Sequence, residues 1–387
     1  MPSQRSEHIP PFLVMDVMEK AKELERAGKN VIHLEVGEPD FDTPAGINRA
    51  AVAALSRGET HYTHSLGMLP LREAIVAHYS RRYGVSLSAD QIIVTMGTSA
   101  GLLLTLSALL NAGDEMVLSN PTYACYPNFV QYLDGIPVWV ATHAAEGFGL
   151  QPREVRTQLT PRTRGVLINS PANPTGTVLS EAALRELADL GPYIVSDEIY
   201  HGLVYGEREH SILEFTDRAF VLNGFSKLYA MTGWRLGYVI APRQFVRPIQ
   251  KMQQNLFICA SSISQWAGLA ALTEEHPEIP QMVAAYDRRR KFMVQGLREL
   301  GFGVAVEPTG AFYVLADARN VGCDSYNLAF DILDKANVAV APGIDFGSNA
   351  EGFLRFSYAN SIENIAVAFE RLKEYLDTHC VDRTTAR

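Results

Sequence analysis

The chain has 387 residues, of which 47% are hydrophobic and 20% are charged, and its formal net charge is -9. This length is enough for one large domain with a smaller partner domain, and the composition is ordinary for a globular enzyme. The negative charge argues against a general binder of nucleic acids or anionic membranes. No apolar run is long enough to span a membrane, and the N-terminal stretch lacks the apolar core of a signal peptide.

The cysteines give a further indication of compartment and site chemistry. Cys125, Cys259, Cys323 and Cys380 are scattered along the chain and form no CxxC pair. Zinc sites and disulfide frameworks need clustered or regularly spaced cysteines. We therefore expect a cytoplasmic protein without a metal site and without a nucleic-acid or membrane partner.

In chain order, a helix near residues 13–28 precedes a series of short apolar, β-branched runs. These runs are "QIIVT" at 91–95, "EMVLS" at 115–119, "GVLINS" at 165–170, "YIVSDE" at 193–198, "AFVLNG" at 219–224 and "LGYVIA" at 236–241. Buried parallel strands have this composition, and the helical patterns between the runs indicate an α/β sheet. One of these helices, "EAALRELADL", follows Ser180, which we expect to be its N-cap.

The last third of the chain has a different pattern. A long helix is predicted at 280–300, two strand-like pieces, "AFYVLA" and "GFLRFSYA", flank another helix, and an amphipathic helix closes the chain. This order predicts a small α+β unit, with which the N-terminal helix packs. The predicted division is residues 1–45 as the N-terminal segment of the small domain, 46–285 as the large domain and 286–387 as its C-terminal part.

Two polar side chains follow predicted strands of the large domain. Lys227 comes just after "AFVLNG", and Asp197 ends "YIVSD", with Tyr200 three residues later. Ligands of open α/β sheets bind at the carboxyl ends of the strands. A desolvated lysine becomes a neutral, nucleophilic amine, and a carboxylate can pair with a buried cation. Taken singly, Lys227 could be a surface lysine and Asp197 a helix cap.

A candidate phosphate site lies between the first of these strands and its helix. Gly97, Thr98 and Ser99 stand at the predicted helix N-terminus, where free amide groups attract anions. Arg235 is a permanent cation suited to bidentate phosphate binding, and Asn173 lies in a Pro- and Gly-containing turn. The ordinary alternatives are an unoccupied strand–helix turn, a surface ion pair and simple turn chemistry.

Together these groups fit one ligand, an aromatic aldehyde that carries a phosphate and a basic ring nitrogen. Lys227 would hold the aldehyde as a Schiff base, and Asp197 would keep the ring nitrogen protonated, so that the ring withdraws electrons. Asn173 and Tyr200 would hydrogen-bond the phenolic oxygen. The phosphate contacts would come from Gly97, Thr98, Ser99, Ser226 and Arg235.

The order of longer motifs carries a family resemblance that spans nearly the whole chain. The motifs are "LEVGEPDFDTP", "YTHSLGMLPLREAI", "GTSAG", "NPTYACY", "NPTG", "SDEIYHGLVY", "SKLYAMTGWRLGY", "APGIDFG" and "RFSYA". In this order they resemble the fold-type I, pyridoxal 5′-phosphate-dependent aminotransferases of class I/II. The resemblance implies an α/β fold: a large cofactor-binding domain with a mostly parallel seven-stranded sheet flanked by helices, and a small α+β domain built from the N-terminal segment and the C-terminal third.

The resemblance also implies roles for individual residues. Lys227 is the Schiff-base lysine and the proton shuttle, and Tyr123 matches the aromatic residue that stacks on the cofactor ring. Arg355 matches the arginine that binds the substrate α-carboxylate, where Gly37 offers backbone groups. The resemblance also implies that Asn173 contacts the substrate. The ordinary alternatives are a core tyrosine, a strand-edge arginine in a salt bridge and a turn glycine.

Tyr62 matches a tyrosine that reaches the cofactor phosphate across a subunit interface, which implies a homodimer with shared active sites. The alternative for Tyr62 is an ordinary buried tyrosine.

The implied activity is a ping-pong transfer of an amino group between an L-amino acid and a 2-oxo acid. The alternative within the fold is a lyase, such as a C–S lyase or an enzyme similar to aminocyclopropane-carboxylate synthase, and the alternative outside catalysis is a regulatory or binding protein. The helix "AGLLLTLSALL" carries no charge and "IPPFLVMDVM" is mostly apolar. These stretches favour a neutral or aromatic donor with 2-oxoglutarate as acceptor, although aspartate is not excluded as donor.

Overall fold

The computed structural model describes residues 2–379, so Cys380 lies outside the described residues. Within this range the α-helices are α1 (Gln4–His8), α2 (Leu13–Arg26), α3 (Ala45–Ser56), α4 (Leu69–Tyr83), α5 (Gly97–Leu109), α6 (Cys125–Tyr132), α7 (Pro152–Gln158), α8 (Glu181–Ala188), α9 (Arg243–Leu256), α10 (Ser262–Thr273), α11 (Glu278–Glu299), α12 (Ser325–Ala336) and α13 (Ile362–His379). The strands are β1 (Ile32–His33), β2 (Ile92–Thr95), β3 (Glu115–Asn120), β4 (Ile136–Ala141), β5 (Thr163–Asn169), β6 (Tyr193–Asp197), β7 (Ala219–Gly224), β8 (Gly237–Ile240), β9 (Tyr313–Asp317), β10 (Val338–Ala339), β11 (Ala341–Pro342) and β12 (Phe353–Ser357). Among these helices none has both the length and the apolar character needed to cross a membrane.

A seven-stranded sheet with the order β2-β8-β7-β6-β5-β3-β4 forms the centre of the molecule, which confirms the predicted α/β fold. Strands β4, β3, β5, β6 and β7 pair in parallel. Every residue of β2, β7 and β8 is buried, because helices cover both faces of the sheet. The carboxyl ends of the parallel strands therefore lie together at one edge.

Strand β8 is the antiparallel strand of the predicted mostly parallel sheet, and the sequence did not indicate its direction. It is antiparallel to both of its neighbours, β2 and β7. The segment between β7 and β8, residues 225–236, forms turns and contains no helix. A parallel connection normally needs a crossover helix, so this chain returns directly in the opposite direction. As a result the amino end of β8 lies at the same edge as the carboxyl ends of the other strands.

Strand β4 was not among the predicted runs. It is an edge strand, and Val140 is its one buried residue. Its sequence, IPVWVA, is as apolar as the central strands, but Pro137 counts against a strand, and only an edge strand readily tolerates proline.

A second layer is formed by an antiparallel sheet of order β11-β12-β9 and by the parallel pair β1-β10. A large buried cluster joins this layer to residues of α11, α12 and α13 and also includes Ile32 and Leu34 from the N-terminal part of the chain. The predicted division of the chain at residues 45 and 285 stays a prediction. Residue 285 lies inside α11.

The N-terminus of α2 is fixed by a residue far along the chain. The carboxylate of Asp345 accepts hydrogen bonds from the backbone N–H groups of Leu13 and Val14, at 3.0 and 3.1 Å. Two amide groups at the start of the helix thereby gain a partner that the adjacent sequence does not provide. This contact holds the apolar segment around Phe12 over the carboxyl edge of the large sheet.

Candidate active site

A cavity of about 340 Å³ lies at the carboxyl edge of the large sheet, between this edge and the β11-β12-β9 sheet. It is lined by the residues predicted for the site, apart from Gly97 and Tyr62. The predicted residues that line it are Gly37, Thr98, Ser99, Tyr123, Asn173, Asp197, Tyr200, Ser226, Lys227, Arg235 and Arg355. The strand ends bring these residues together, as expected for an α/β sheet.

Lys227 lies just beyond the end of β7. Its Nζ donates a hydrogen bond to the carbonyl oxygen of Gly37 at 2.6 Å. Burial is the main cause that lowers the pKa of Lys227 from 10.5 to about 8; the positive charges of Arg355 and Arg235 contribute to this shift, and Glu38 and Asp197 oppose it. A substantial share of this amine is therefore neutral near physiological pH, the state in which it attacks a carbonyl carbon.

Asp197 is the last residue of β6 and is buried. One carboxylate oxygen accepts a hydrogen bond from the Tyr126 hydroxyl at 2.7 Å, and the other accepts from the backbone N–H of Ile199 at 3.1 Å. Burial raises the pKa of Asp197 to about 6, and no salt bridge to it exists within residues 2–379. A cationic group in the cavity would stabilise this carboxylate in its charged form.

The N-terminus of α5 and Arg235 form a compact anion site. Gly97 begins the helix with a φ of 78°, and a Cβ there would lie 2.5 Å from Nη2 of Arg235. The guanidinium group is thus in direct contact with the start of the helix, and only glycine permits this approach. No side chain caps the helix N-terminus. The free amide groups and the cation together suit a phosphate.

The reversed direction of β8 accounts for the position of Arg235. This residue lies two positions before Gly237, the first residue of β8. In a parallel strand Arg235 would be at the opposite edge of the sheet. The antiparallel direction of β8 therefore explains why Arg235 and the N-terminus of α5 lie at the same edge of the sheet.

Arg355 projects from β12, the central strand of the small sheet, and its side chain is buried with an exposed fraction of 2%. Nη1 donates to Oδ1 of Asn173 at 2.8 Å, and Nη2 donates to the backbone carbonyl of Glu35. Its Nε has no hydrogen-bond partner in the described part of the chain. No carboxylate between residues 2 and 379 lies within ion-pair distance, so the alternative of a strand-edge salt bridge is wrong.

A buried guanidinium without an anion is costly, and a ligand carboxylate would provide the missing charge and accept from Nε. Arg355 is therefore the group of the cavity best suited to an acidic part of the substrate.

Sequence reasoning missed two tyrosines. Tyr126 lies in the quoted motif "NPTYACY", but nothing in that motif indicates its hydrogen bond to Asp197. Tyr313 lies in "AFYVLA", and its hydroxyl oxygen is 2.8 Å from that of Tyr200. From the sequence both tyrosines look like ordinary core aromatics. A strand or helix pattern predicts that they are buried but does not show which polar group their hydroxyls contact.

Gly37 is required by the packing of Tyr313. A Cβ at position 37 would lie 1.9 Å from the Tyr313 hydroxyl oxygen, a distance that no side chain could accommodate without displacing the tyrosine. The backbone of residue 37 therefore runs along the cavity wall, where its carbonyl meets Lys227.

Comparisons with known proteins agree on one family. The family described as aminotransferase class I and II matches residues 29–372. The chain belongs to the class I and II aminotransferases. The sequence is 43% identical to a (5-formylfuran-3-yl)methyl phosphate transaminase of Methanocaldococcus jannaschii, over 97% of this chain and 100% of that protein. It is 39% identical to an aspartate/prephenate aminotransferase of Thermus thermophilus, over 97% and 98% of the two chains.

Solved structures give the same result. The structure of the Thermus thermophilus aspartate aminotransferase with maleate superposes with a TM-score of 0.93 at 38% identity, covering 97% of this chain and 99% of that one. A Methanococcus jannaschii structure, described as similar in its active site to kynurenine aminotransferases, has a TM-score of 0.90 at 42% identity and covers 97% and 100%.

Class I and II aminotransferases use pyridoxal 5′-phosphate, which confirms the predicted cofactor and activity class. The residues present fit this molecule. The uncapped start of α5 with Arg235 offers an anion site, Lys227 offers an amine of lowered pKa, and the buried Asp197 lacks a cation. These three features match the phosphate, the aldehyde and the ring nitrogen of the cofactor.

The pKa of Lys227 gives a test on the aminotransferase chain freed of cofactor. We expect the rate of acetylation of Lys227 by acetic anhydride to be half-maximal near pH 8, because burial lowers its pKa to about 8. Peptide mass mapping across a pH series gives this midpoint, and the exposed lysines in the same digest serve as the internal reference. A Lys227 midpoint equal to that of the exposed lysines would show that the amine is not desolvated.

Proposed function

We propose that this aminotransferase transfers the amino group of an L-amino acid to a 2-oxo acid in two half-reactions, with Lys227 as the catalytic amine and Arg355 as the α-carboxylate site. The observation that carries the proposal is that three charged groups without salt bridges lie in one cavity. Arg355 and Asp197 are buried and Lys227 is half-buried, and none of the three forms a salt bridge within residues 2–379, although Lys227 and Asp197 attract each other at longer range. An amino acid and the cofactor together provide those partners.

The proposed chemistry at Lys227 is proton transfer. When bound, pyridoxal phosphate supplies an electrophilic aldehyde carbon and a ring that withdraws electrons. The Lys227 amine would hold that carbon until a substrate amine takes its place, and free Nζ would then take the proton from the substrate Cα and return it on the cofactor side. Water would be consumed in releasing the 2-oxo acid, and a second 2-oxo acid would react by the reverse steps.

The other residues would bind and orient the cofactor. Asp197 keeps the ring nitrogen protonated, and its hydrogen bonds from Tyr126 and Ile199 fix the carboxylate in place. Tyr200 and Asn173 contact the phenolic oxygen, and Tyr123 stacks on the ring. The phosphate is bound by Thr98, Ser99, Ser226 and Arg235 at the N-terminus of α5.

At the substrate, Arg355 binds the α-carboxylate next to the backbone of Gly37, and Asn173 orients the guanidinium through its 2.8 Å hydrogen bond.

The proposal includes a homodimer with shared sites. Tyr62 is 80% exposed, so the alternative of an ordinary buried tyrosine is wrong. Leu256, Ile258 and Met96 are also exposed apolar residues, at 59%, 47% and 44%.

The segments that carry these residues are joined by hydrogen bonds. Gln254 donates to the hydroxyl of Ser65, Ser262 donates to the carbonyl of Glu59, and Gln253 donates to the carbonyl of Val94 at the end of β2. The four exposed residues thus lie on connected backbone next to the phosphate end of the cavity. Apolar side chains exposed in this way favour contact with a second protein chain. A cytoplasmic location is also part of the proposal and rests on the scattered cysteines of the sequence.

The proposed donor is a neutral or aromatic amino acid, with 2-oxoglutarate as acceptor. Phe12, Val14 and Met15 bring apolar surface to the cavity wall. The lining cations, Lys227, Arg235 and Arg355, all have other proposed tasks. A distal carboxylate on the donor would therefore lack a partner among the lining residues, which is costly in a desolvated site. The distal carboxylate of 2-oxoglutarate meets the same condition, so its proposed role as acceptor requires a cation from outside this lining.

The names of the relatives allow both an acidic and an aromatic partner. The Thermus protein is named for aspartate and prephenate, and the Methanococcus structure is likened to kynurenine aminotransferases. The donor must therefore be measured.

Replacement of Asp197 tests its proposed role in keeping the ring nitrogen of the cofactor protonated. We expect Asp197→Ala to fold and to bind the cofactor, since the phosphate contacts remain, but to lose at least about a hundredfold in kcat, because nothing else holds the ring nitrogen protonated. Steady-state kinetics and the absorbance of bound cofactor measure the two properties. Tyr126→Phe removes only one hydrogen bond to the carboxylate and should lose far less activity. Near-normal turnover of Asp197→Ala would contradict the proposed role.

Mixed dimers test the shared site. Lys227→Ala and Tyr62→Ala are each expected to lose most activity. After subunit exchange, a hybrid dimer has one site with both changes and one site with neither, so an equimolar mixture should recover about a quarter of wild-type activity. Native mass spectrometry confirms the exchange. Exchange without recovery would mean that each subunit contains a complete site.

A donor panel tests the substrate class. We expect alanine, leucine or phenylalanine to have a higher kcat/KM than aspartate, with 2-oxoglutarate as acceptor and both products measured. If aspartate exceeds all three by more than about tenfold, which is about 1.4 kcal/mol of transition-state preference, the apolar-wall argument is wrong. Formation of a 2-oxo acid without transfer of the amino group would indicate a lyase instead.

A further inference from the structure

Tyr313 lies where three parts of the site meet. It is the first residue of β9, and its side chain is buried, with an exposed fraction of 1%. Its hydroxyl oxygen is 2.8 Å from that of Tyr200, and its ring lies under the Arg355 guanidinium, 4.3 Å from Cζ to the ring centroid. It also fixes the close approach of the Gly37 backbone.

The hydroxyl of Tyr313 determines where the Tyr200 proton points. A phenol has one proton to donate, and burial raises the pKa values of both tyrosines, so both keep their protons. If Tyr200 donates to the phenolic oxygen of the cofactor, the short contact between the two hydroxyls requires Tyr313 to donate to Tyr200. A donor that itself accepts a hydrogen bond is strengthened by polarisation.

The ring of Tyr313 acts on a different group. The Arg355 cation lies between two aromatic rings, Tyr313 at 4.3 Å and Phe346 at 4.8 Å. No carboxylate of residues 2–379 lies within ion-pair distance of Arg355, so these ring faces and two carbonyl-type oxygens are in direct contact with its guanidinium group, and Asp345 acts on it only from farther away. Ring faces attract desolvated cations and also fix the plane of a guanidinium group.

We propose that Tyr313 is a positioning residue with two separable tasks: its hydroxyl orients the Tyr200 hydroxyl towards the cofactor oxygen, and its ring orients Arg355 for the substrate α-carboxylate. The inference rests on the proposed function, in which Tyr200 and Arg355 have those roles. It deepens that function, because one side chain couples the recognition of the cofactor to the recognition of the substrate.

Two substitutions separate the tasks in the holoenzyme. Tyr313→Phe removes the hydroxyl and keeps the ring, whereas Tyr313→Met removes the ring and keeps a flexible apolar side chain. Tyr313→Leu replaces the Met variant if that variant does not fold, as judged by circular dichroism. Tyr205→Phe is the matched control, because Tyr205 is buried in the same cluster and donates to the carbonyl of Ala311 but does not line the cavity.

The first measurement is the pH midpoint of the cofactor absorbance. A hydrogen bond to the phenolic oxygen stabilises its anionic form, so loss of this bond raises the midpoint. We expect Tyr200→Phe to raise it most and Tyr313→Phe to raise it by roughly half a unit in the same direction, because only the polarisation of Tyr200 is lost. Tyr205→Phe should leave it unchanged.

The second measurement is the Kd of 2-methylalanine, determined from the change in cofactor absorbance. This compound has an α-carboxylate but no α-proton to transfer. Tyr313→Phe should stay within about twofold of the wild type, and Tyr313→Met should weaken binding by about tenfold. A pH midpoint unmoved in Tyr313→Phe would overturn the first task. An unchanged Kd in the Met or Leu variant would overturn the second.

Two reference variants separate failure of this inference from failure of the proposed function. Arg355→Gln should weaken 2-methylalanine binding, and Tyr200→Phe should move the pH midpoint. If both do so while the Tyr313 variants behave as wild type, only the role of Tyr313 is wrong. If Arg355→Gln binds normally, the α-carboxylate site itself has been misplaced.

Discussion

Parallel strands bring their carboxyl ends to a single edge of a sheet, and in this aminotransferase that geometry fixes the position of the large-domain residues that line the cavity. Lys227 follows β7, Asp197 ends β6, Asn173 follows β5 and Tyr123 follows β3. Backbone hydrogen bonds across the sheet set the spacing of these residues, so no single loop has to be ordered separately. The antiparallel strand β8 is the exception that completes the set, because its amino end carries Arg235 to the same edge.

The second physical feature of the cavity is charge that the protein alone leaves unmatched. Taking a charged group out of water costs free energy unless a partner compensates it. Burial lowers the pKa of Lys227 to about 8 and raises the pKa of Asp197 to about 6. Arg355 remains without an anion in the described chain. Such groups reduce the stability of the fold, and their retention together is understandable when a ligand carries the complementary charges.

Neutral groups complete the arrangement. Tyr126 holds the Asp197 carboxylate, and Tyr313 lies between the Tyr200 hydroxyl and the Arg355 guanidinium. Their hydrogen bonds and ring faces fix the charged groups without adding a charge that would have to be solvated. The outer wall of the site includes Phe12 on a segment whose helix is capped by Asp345, and Tyr62 remains exposed. The single chain therefore contains the charged groups of the cavity. In the proposed homodimer, the second subunit covers the end of the cavity at the N-terminus of α5.

The sequence by itself determined the buried central strands, the helix after Gly97 and the residues that follow the strand ends, because local composition and order carry this information. It did not determine the direction of β8 or the existence of β4. Strand direction depends on which distant strands pair, and Pro137 within the apolar run of β4 is compatible with a strand because β4 lies at the sheet edge. Only the tertiary structure showed that Arg355 lacks a carboxylate partner and that Tyr313 contacts Tyr200. Both facts depend on segments more than 100 residues apart in the chain, and a local pattern cannot report how such segments pack.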